Sequence, residues 1–534
     1  YSKQRVELAA TRPDFFGGEY IGTGVSAGNI ARSYDQFITG QLRSSTTALG
    51  EANTYKEYAL QVDSLLSEPS TGLSSVAQDF FNSVSDVAND PTAIANREVM
   101  LQEANALTSR FSLVDERFGE IRRQVNADVE GMTSSVNSYI EFVGELNAEI
   151  SSTRGQNDLL DKRDQTLKKL SELMDISVVS TQGSDMVSVI LKNGLALVVG
   201  DKVSTLSTKA SETDSENLGI IFTDAGGQEQ DVTNQISSGK MAGAFRFRDE
   251  ILDPAQQALG TTAAGIAMEF NAQHKVGFDL DGNTGVELFS FQGTEEISAQ
   301  PLNSNTGTAA LTVTYNDIVA NPTGASSSDL RASDYTLEYD GTDYSLTSVK
   351  DESSIILQRT TVGGVDILEP SVAGEQLPGI RIEITGTPVG SAAAQDEFYI
   401  RPTYEAARLL EVNITDGRQI AAGTTIGSIG DNTNALQLAD LANNKNLFGG
   451  SQSYQDVYAG LVSEVGGKSR IANISAATQE TLWTNANGAR ESLSGVNLDE
   501  EAANLIKYQQ SYQAAAQAIS VASSMFDALL GAVR

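Results

Sequence analysis

The C-terminal stretch decides the fold, and it reads GVNLDEEAANLIKYQQSYQAAAQAISVASSMFDALLGAVR (residues 495–534). Apolar residues recur along it at alternating spacings of three and four positions, which is a heptad pattern. These seam residues are Leu505, Tyr508, Tyr512, Ala515, Ile519, Ala522, Phe526 and Leu529. Acidic residues at 499–501 favour a helix N terminus just before the seam. The stretch therefore predicts a C-terminal coiled-coil helix over residues 495–534, and the seam is a candidate assembly site.

An isolated helix of this length is marginal in water, so the predicted helix needs a partner. Each large seam residue gains about 1.5–3 kcal/mol only when it is buried. Residues 1–23 combine β-type residues with a glycine cluster, and they predict an extended arm rather than a helix. The first residue is Tyr1 rather than Met. We therefore expect an N-terminal helix to precede the arm and to pair with the seam, unless other subunits supply the partner.

Helical periodicity dominates residues 24–175, which predict the first part of a helical stem. The pattern starts at Val25, and a second helix runs from Leu73 to just before Pro91. The longest apolar stripe predicts a helix through residues 94–153, about 90 Å long at 1.5 Å per residue. Because a rod of this length cannot fold back into a globule, it must lie along other helices in a bundle or coiled coil.

The rest of the chain alternates β-rich and helical sequence. Runs of β-branched residues with a hairpin turn predict a small β domain at 176–235. The stem continues at 236–289 and at 404–494, on either side of an inserted β-rich block at 290–403. The predicted fold class is α+β multidomain, with a long-helix bundle or coiled-coil stem built from both chain ends and inserted β-rich domains. We expect the block at 290–403 to be a separable side domain, outside the assembly and dispensable for polymerisation.

Composition excludes several classes of function. The chain has no cysteine, which excludes disulfides, thiolate nucleophiles and cysteine metal sites. Its net charge of −34 argues against a nucleic-acid partner, because phosphate binding needs clustered Lys and Arg. A membrane helix needs roughly 20 apolar residues in a row, and no stretch of the sequence approaches this length. We therefore expect no membrane partner. No cleavable secretion signal is visible at the start of the chain.

Two segments contain residues typical of a catalytic or metal-binding site, and neither has the full set of residues that such a site requires. His274 is the only histidine, which excludes Ser-His-Asp triads and histidine-rich metal sites. We expect it to be a hydrogen-bonded structural residue. Residues 279–283 begin like a calcium loop, but Thr284 replaces the required glycine and Ser290 the terminal glutamate. We interpret this segment as an acidic turn.

A third candidate is a group of aspartates in a short helix that is predicted to begin at Asn157 or Asp158. Asp158, Asp161 and Asp164 are too spread around this helix to converge on one metal ion. Lys162 and Lys168 are available as i, i+4 partners, so a solvated charged face is expected. The sequence therefore predicts no catalytic, cofactor-binding or metal-binding residues, no cofactor and no enzyme activity.

Several segments resemble one family. Residues 495–516 resemble the C-terminal signature of flagellar rod, hook and hook-associated proteins. Other segments resemble hook-associated protein 1, the hook–filament junction family. These are residues 157–164, residues 245–249 followed by Asn271, His274 and residues 277–282, and the opening Tyr1-Ser2-Lys3-Gln4. The resemblance spans nearly the whole chain apart from the less diagnostic block at 290–403.

The resemblance implies a structural role in the bacterial flagellum. It implies that the chain polymerises through its terminal helices and forms the junction between hook and filament. The implied partners are copies of itself in a helical array, the hook protein, a second junction protein or the filament, and a cytoplasmic export chaperone on the C-terminal region. The implied location is extracellular, after export by the flagellar secretion apparatus without a cleaved signal.

Three alternatives remain open from the sequence. The chain could be another flagellar axial protein, the third hook-associated protein. It could be a surface adhesin with β binding domains on a helical stalk, although an unpaired terminal helix would serve no purpose there. It could also hold an enzyme in the β block, where no recognisable constellation of residues is present.

Overall fold

The computed structural model describes residues 2–16, 19–67, 72–153, 157–180, 185–212, 214–292, 296–302, 304–316, 327–391, 394–445, 447 and 450–532. The chain forms two compact units. Unit 1 contains Tyr1–Leu49, Val136–Ser204 and Thr478–Arg534, and unit 2 contains Gly50–Ser135 and Thr205–Ala477.

The helices are α1 Gln36–Ser67, α2 Leu73–Asn89, α3 Ile94–Ser152, α4 Asn157–Leu173, α5 Lys240–Phe247, α6 Asp253–Lys275, α7 Ala406–Leu409, α8 Thr433–Asp440, α9 Tyr454–Ser494 and α10 Leu498–Ala532. A π-helical turn, Arg248–Leu252, joins α5 to α6. The strands of the first half are β1 Gln4–Ala10, β2 Asp14–Phe16, β3 Glu19–Ile21, β4 Val25–Arg32, β5 Ile176–Ser180, β6 Val187–Leu191, β7 Ala196–Val199, β8 Lys202–Val203, β9 Thr205–Ala210, β10 Leu218–Thr223 and β11 Glu229–Asp231.

The remaining strands are β12 Phe289–Phe291, β13 Glu296–Ile297, β14 Ala299–Pro301, β15 Ala310–Tyr315, β16 Tyr335–Tyr339, β17 Tyr344–Ser348, β18 Ser354–Val362, β19 Val365–Pro370, β20 Ile380–Thr385, β21 Gly390–Ser391, β22 Ala394–Ile400 and β23 Leu410–Val412. The helices predicted from Leu73 to before Pro91, through 94–153 and from Asn157 or Asp158 are confirmed as α2, α3 and α4. The block predicted to be β-rich at 290–403 contains the strands β13 to β22. The α+β multidomain fold class is likewise confirmed.

In unit 1, a buried asparagine fixes a four-stranded sheet to the C-terminal half of α3. The sheet has the strand order β5-β6-β7-β8. Asn147 of α3 donates to the carbonyls of Val187 at 2.8 Å and Gly200 at 2.7 Å. Its side-chain oxygen accepts from Val187 N at 3.2 Å and from Arg163 Nη1 at 3.1 Å. Because every polar atom of this buried amide is paired, the sheet is held in one register on the helix.

In unit 2, aromatic rings fill the centre of the helical part. Phe80 of α2, Phe270 of α6 and Phe289 of β12 contact one another with centroid distances of 5.3–5.8 Å. Such tilted and edge-to-face pairs stabilise a core beyond the area that they bury. The three-stranded sheet β11-β10-β9 also lies in this unit.

The β-rich block forms one antiparallel sheet of ten strands, also in unit 2. Its order is β13-β15-β20-β19-β18-β17-β16-β22-β14, with β21 paired to β22. Alternate residues of its strands point to one buried core that includes Val313, Leu337, Leu346 and Ile382. The period-2 apolar pattern that identified these strands in the sequence is thus the pattern that builds the core.

Buried ion pairs join this sheet to the helical part of unit 2. Arg401, one residue after β22, lies 3.0 Å from Asp214 and 3.4 Å from Asp334. Its guanidinium stacks 3.3 Å from the ring centre of Tyr404. Asp214 in turn lies 3.8 Å from Arg122 of α3, which is only 2% exposed.

Close backbone packing reinforces this connection. A Cβ atom added to Gly260 of α6 would lie 1.6 Å from the carbonyl oxygen of Thr403. Only glycine leaves room for the chain to pass the helix at this distance. The segment after β22 is therefore fixed against α6 by both packing and charge.

Three predictions about local structure are wrong. Residues 25–32 form a strand rather than the start of a helix, and they pair with β1. The predicted small β domain at 176–235 is two separate sheets, one in each unit, with the division between Ser204 and Thr205. The segment 404–453, expected to be stem, has no long helix among its described residues: its α-helices are the short α7 and α8, and strand β23 and a 3-10 turn at Gly417–Gln419 lie between them.

His274 is the structural residue that the sequence predicted. It is fully buried, and its Nδ1 lies 2.5 Å from the carbonyl oxygen of Val286. Its Nε2 accepts a hydrogen bond from Ala421 N at 2.8 Å. This arrangement requires a neutral ring that donates from Nδ1. Burial lowers the pKa of His274 from 6.5 to about 4.

A buried carboxyl has the opposite shift. Asp115 of α3 is 4% exposed, and its Oδ1 accepts from Gln256 Nε2 at 3.0 Å. Burial raises the pKa of Asp115 from 3.8 to about 6, against the effect of this hydrogen bond. The two groups therefore act on stability over the same pH range with opposite sign.

The free energy of unfolding should depend on each group between about pH 6.5 and 4. In that range the unfolded chain protonates His274 and the folded chain does not, so the histidine lowers stability by about 3 kcal/mol as pH falls. Asp115 takes up its proton at a higher pH in the folded chain than in the unfolded chain. It therefore raises stability by about 3 kcal/mol as the pH falls over nearly the same range.

Urea midpoints of wild type, His274→Asn and Asp115→Asn at pH 7, 5.5 and 4.5 would separate the two contributions. The advantage of wild type over His274→Asn should shrink on acidification, and its advantage over Asp115→Asn should grow. Parallel pH profiles for all three proteins would contradict these assignments.

Candidate assembly surface

The predicted seam lies on one continuous exposed helix. The structure brings all eight seam residues together on α10, Leu498–Ala532, in which no residue is buried. Tyr512 is 77% exposed, Ile519 71% and Phe526 63%. Exposed apolar area of this extent on one helix marks an interaction site. The helix lacks a packing partner among the described residues of the chain.

The helical stretch Tyr454–Ala532, which comprises α9 and α10, contains a window that is long and apolar enough to cross a membrane by length and composition only, and none of that window is buried. The heptad spacing of the seam accounts for this apolarity equally well, because a seam of this kind is designed to pack against other helices.

The root of α10 has a defined geometry. Asn497 caps the helix, since its Oδ1 accepts from Asp499 N at 3.0 Å. Just before it, the carbonyl oxygen of Ser494 accepts from Lys3 N at 2.9 Å. Lys3 Nζ also lies 2.7 Å from Glu500 Oε1 in the first turn of α10. The start of the chain and the start of α10 are therefore adjacent within unit 1.

The aspartates of α4 hold the N-terminal arm. Asp161 accepts from Ser2 N at 2.7 Å and from Ser2 Oγ at 2.8 Å. Arg32 Nη1 lies 3.2 Å from Asp161 and 2.7 Å from Asp164. The side chains of Arg32 and Asp161 are only 12% and 13% exposed, so this pairing is shielded from solvent. Ser2, Arg32, Asp161 and Asp164 are called the arm clamp below.

The arm clamp corrects the predicted role of these aspartates. A solvated face with Lys162 and Lys168 as partners was expected, but Arg32 pairs with both Asp161 and Asp164. Lys168 instead lies 5.3 Å from the ring centre of Trp483 on α9. The expected i, i+4 pairing is wrong because Arg32, which is distant in the sequence, pairs with Asp161 and Asp164 instead.

The remaining chemical candidates are structural. Asp279 Oδ1 accepts from the backbone N of Asp281 and of Asn283, each at 2.8 Å, which closes the predicted acidic turn. Asp281 is paired with Arg418. Within the part of the chain that the structure describes, no group of three or more His, Cys, Asp or Glu side chains could hold a metal ion.

Comparison with known proteins gives the family. Residues 59–289 match the family model described as flagellar hook-associated protein FlgK helical domain, and residues 302–402 match flagellar hook-associated protein 1, D2-like domain. Residues 490–532, which include α10, match flagellar basal body rod FlgEFG protein C-terminal. Flagellar hook-associated protein 1 of Salmonella typhimurium is 31% identical, with 99% of this chain and 94% of that protein covered.

The chain belongs to the flagellar hook-associated protein 1 family. The relative from Escherichia coli K12 is 30% identical over 99% of this chain and 93% of its own length, and the one from Bacillus subtilis is 23% identical. The flagellar hook junction protein FlgK from Burkholderia pseudomallei has the same fold, with a TM-score of 0.74, 23% identity and coverage of 85% of this chain and all of that one.

Membership of the hook-associated protein 1 family identifies the chain as a structural component of the bacterial flagellum. It decides against the adhesin, and it favours hook-associated protein 1 over the third hook-associated protein. The predicted flagellar role is thereby confirmed. The segments whose resemblance indicated the family, at the N terminus and at 157–164, are those that meet in the arm clamp.

Proposed function

We propose that this chain is a subunit of the junction between hook and filament, and that it polymerises through the α10 seam. The observation that supports this most is that no residue of α10 is buried in the chain. Its heptad residues would gain free energy only if another helix covered them. A helix with this pattern contributes nothing to the isolated chain. Its burial in an assembly would supply the binding energy for polymerisation.

The proposed partners follow from this arrangement. Copies of the same chain occupy a helical array, with the hook protein on one side and a second junction protein or the filament on the other. A cytoplasmic export chaperone covers the C-terminal region before export, since an exposed apolar seam promotes aggregation. Export occurs without a cleaved signal, and the assembled protein is extracellular and has no enzyme activity.

The proposed domain organisation assigns the long helices to the stem and the block at 290–403 to the outside of the assembly. The block has its own buried core, which supports independent folding. A domain of this size on the inner side would obstruct a channel through which later subunits pass.

A strain that lacks this protein should release its filaments and retain bare hooks. The reason is that filament subunits would have no adaptor on which to build. Electron micrographs of cells and of pelleted culture medium would show this, and re-expression of the wild-type chain should restore attached filaments. Normal flagella on the deletion strain would contradict the proposed function.

A further inference from the structure

A largely buried cluster of charged side chains lies where the β-rich block meets the helical part of unit 2. It contains three aspartates and two arginines from five separate parts of the chain: Arg122, Asp214, Asp253, Asp334 and Arg401. These five side chains are called the charge cluster below. If all of them were ionised, the cluster would hold one negative charge in excess. Because excess charge is strongly unfavourable away from water, one of the three acids should be neutral in the folded chain.

Asp214 has the contacts of an ionised carboxylate. Its Oδ1 lies 3.0 Å from Arg401 Nη1 and accepts from the backbone N of Glu216 at 3.0 Å. Its Oδ2 accepts from Asn217 Nδ2 at 2.9 Å and lies 3.8 Å from Arg122 Nη1. Both oxygens are therefore hydrogen-bonded, and a guanidinium lies beside each of them, which is the environment that favours the charged form.

Asp253 is also paired with a guanidinium. Its Oδ1 lies 2.6 Å from Arg122 Nη2, and its side chain is 26% exposed, so water stabilises its charge as well. Burial raises the pKa of Asp253, and the charge of Arg122 acts against that shift. Arg248, a second cation that acts on Asp253, is itself paired with Asp249 at 2.8 Å. Asp253 therefore has a guanidinium that balances its charge.

Asp334 is the poorly paired acid of the charge cluster. Its side chain is 5% exposed, and its Oδ1 is buried without a hydrogen-bond partner among the described residues. Its Oδ2 accepts from Tyr399 Oη at 3.0 Å, whereas Arg401 Nε lies 3.4 Å away without donating a hydrogen bond. A buried oxygen without a partner costs far more free energy in a carboxylate than in a neutral carboxyl. Asp334 is therefore the acid that the folded chain most favours in its neutral form.

The other ionisable groups around Asp334 favour the same assignment. Asp214 and Asp253 act on it as negative charges. Tyr335 of β16 and Tyr399 of β22 are uncharged, because burial raises the pKa of both phenols. Burial and the two aspartates raise the pKa of Asp334 above its usual 3.8, and the ion pair and hydrogen bond of its Oδ2 offset this only in part.

We propose that the folded chain binds a proton on Asp334, and that this proton tightens the connection between the β-rich block and the helical part of unit 2. With the proton bound, the charge of Arg401 offsets Asp214 alone, and the charge cluster is balanced. In alkaline medium the proton is lost, and the excess negative charge weakens the same connection. The charge cluster is thus a pH-sensitive latch between the sheet and the helices.

The proton on Asp334 makes folding stability depend on pH. An aspartate of the unfolded chain takes up its proton near pH 3.9, whereas Asp334 takes it up at a higher pH in the folded chain. Between these two pH values the folded chain binds one more proton, so its stability rises as the pH falls. The folding equilibrium constant can increase by at most about tenfold per pH unit from this one group.

Infrared spectra of the full chain between pH 9 and 5 identify the protonated acid directly, through the C=O stretching band of protonated carboxyls. Wild type should show the band of one carboxyl that Asp334→Asn lacks. Asp343→Asn, which changes an exposed aspartate of the same block, is the control and should keep the wild-type band. Asp214→Asn should move the band to lower pH, because Arg401 then serves Asp334 alone. A wild-type band in Asp334→Asn, or an unmoved band in Asp214→Asn, would overturn the proposal.

Hydrogen exchange at the amides of β16 and β22 measures the strength of the connection. Wild type and Asp334→Asn are compared at the same pH, so that the intrinsic exchange rate and the contributions of His274 and Asp115 cancel. At pH 9 the variant, which imitates the neutral carboxyl, should be protected at least as well as wild type. The protection of wild type relative to the variant should then rise by up to about tenfold per pH unit as the pH falls to 5. A protection ratio that stays constant or falls over this range would contradict the latch.

Discussion

Replacing Tyr512, Ile519 and Phe526 by serine should abolish assembly and leave the folded monomer as stable as wild type. All three side chains are more than three-fifths exposed on α10, so their removal takes nothing from the core. In an assembly each would be buried, and each replacement would cost about 1.5–3 kcal/mol. The three together would weaken seam pairing by at least about a thousandfold.

Filament attachment, secretion into the medium and the monomer melting temperature should be measured together. The seam variant should be secreted, melt like wild type and leave hooks without filaments. The control replaces Gln509, Gln513 and Ser520, on a polar stripe of the same helix, with alanine and should support normal attachment. A melting temperature several degrees below wild type would mean that the seam is already packed within the chain. Filament attachment retained by the seam variant would show that the α10 seam is not needed for assembly.

Replacing Arg401 by methionine should lower the free energy of unfolding of the part around the β-rich block by about 3–5 kcal/mol. The variant keeps an unbranched side chain in the site but leaves Asp214 and Asp334 without the cation that lies between them. Both carboxyls are almost fully buried, and an unpaired buried charge is strongly unfavourable. Burial already raises the pKa of Asp334, against the effect of Arg401.

Hydrogen exchange at the amides of β16 and β22 would show the loss as faster exchange. The matched control is Arg408→Met, because Arg408 is half exposed and pairs with Glu405 only at the surface. That change should alter stability by less than about 0.5 kcal/mol. Adding Asp214→Asn and Asp334→Asn to Arg401→Met should recover part of the loss. Equal effects of Arg401→Met and Arg408→Met would show that the buried pairs do not stabilise the sheet.

The elements predicted best from sequence are those with an uninterrupted local period. The stripe of α3 and the seam of α10 follow helical spacing without a break, and β15, β16 and β20 follow strict alternation. The same alternation marked residues 290–403 as β-rich, and this block contains the strands β13 to β22. The expectation that this block can be removed without loss of polymerisation stays a prediction.

The β1–β4 hairpin was missed because its pairing is not local. Val25, Ile30, Tyr34 and Phe37 fit a helical spacing, and the bulge at Gly28 hides the alternation of β4. The partner strand β1 lies some twenty residues earlier in the chain, where it was correctly predicted to be extended. Pairing across such a loop depends on tertiary contacts that override local propensity.

The arm clamp was missed for a related reason. The aspartates of α4 had basic residues one turn away, so a local pairing was the simplest interpretation. Nothing in the spacing of residues 157–164 identifies Arg32 as their partner. The available signal was the family resemblance of both Tyr1-Ser2-Lys3-Gln4 and 157–164, and the structure places these two segments in contact.

The close approach of Gly260 to Thr403 has a mechanical consequence. Most inserted domains are joined to the rest of the fold by flexible linkers, so the domain can move without displacing the rest of the fold. Here the chain leaves β22 directly into contact with α6, with Arg401 held between two carboxylates. A force on the ten-stranded sheet is therefore transmitted to the long helices of the same unit through a rigid connection.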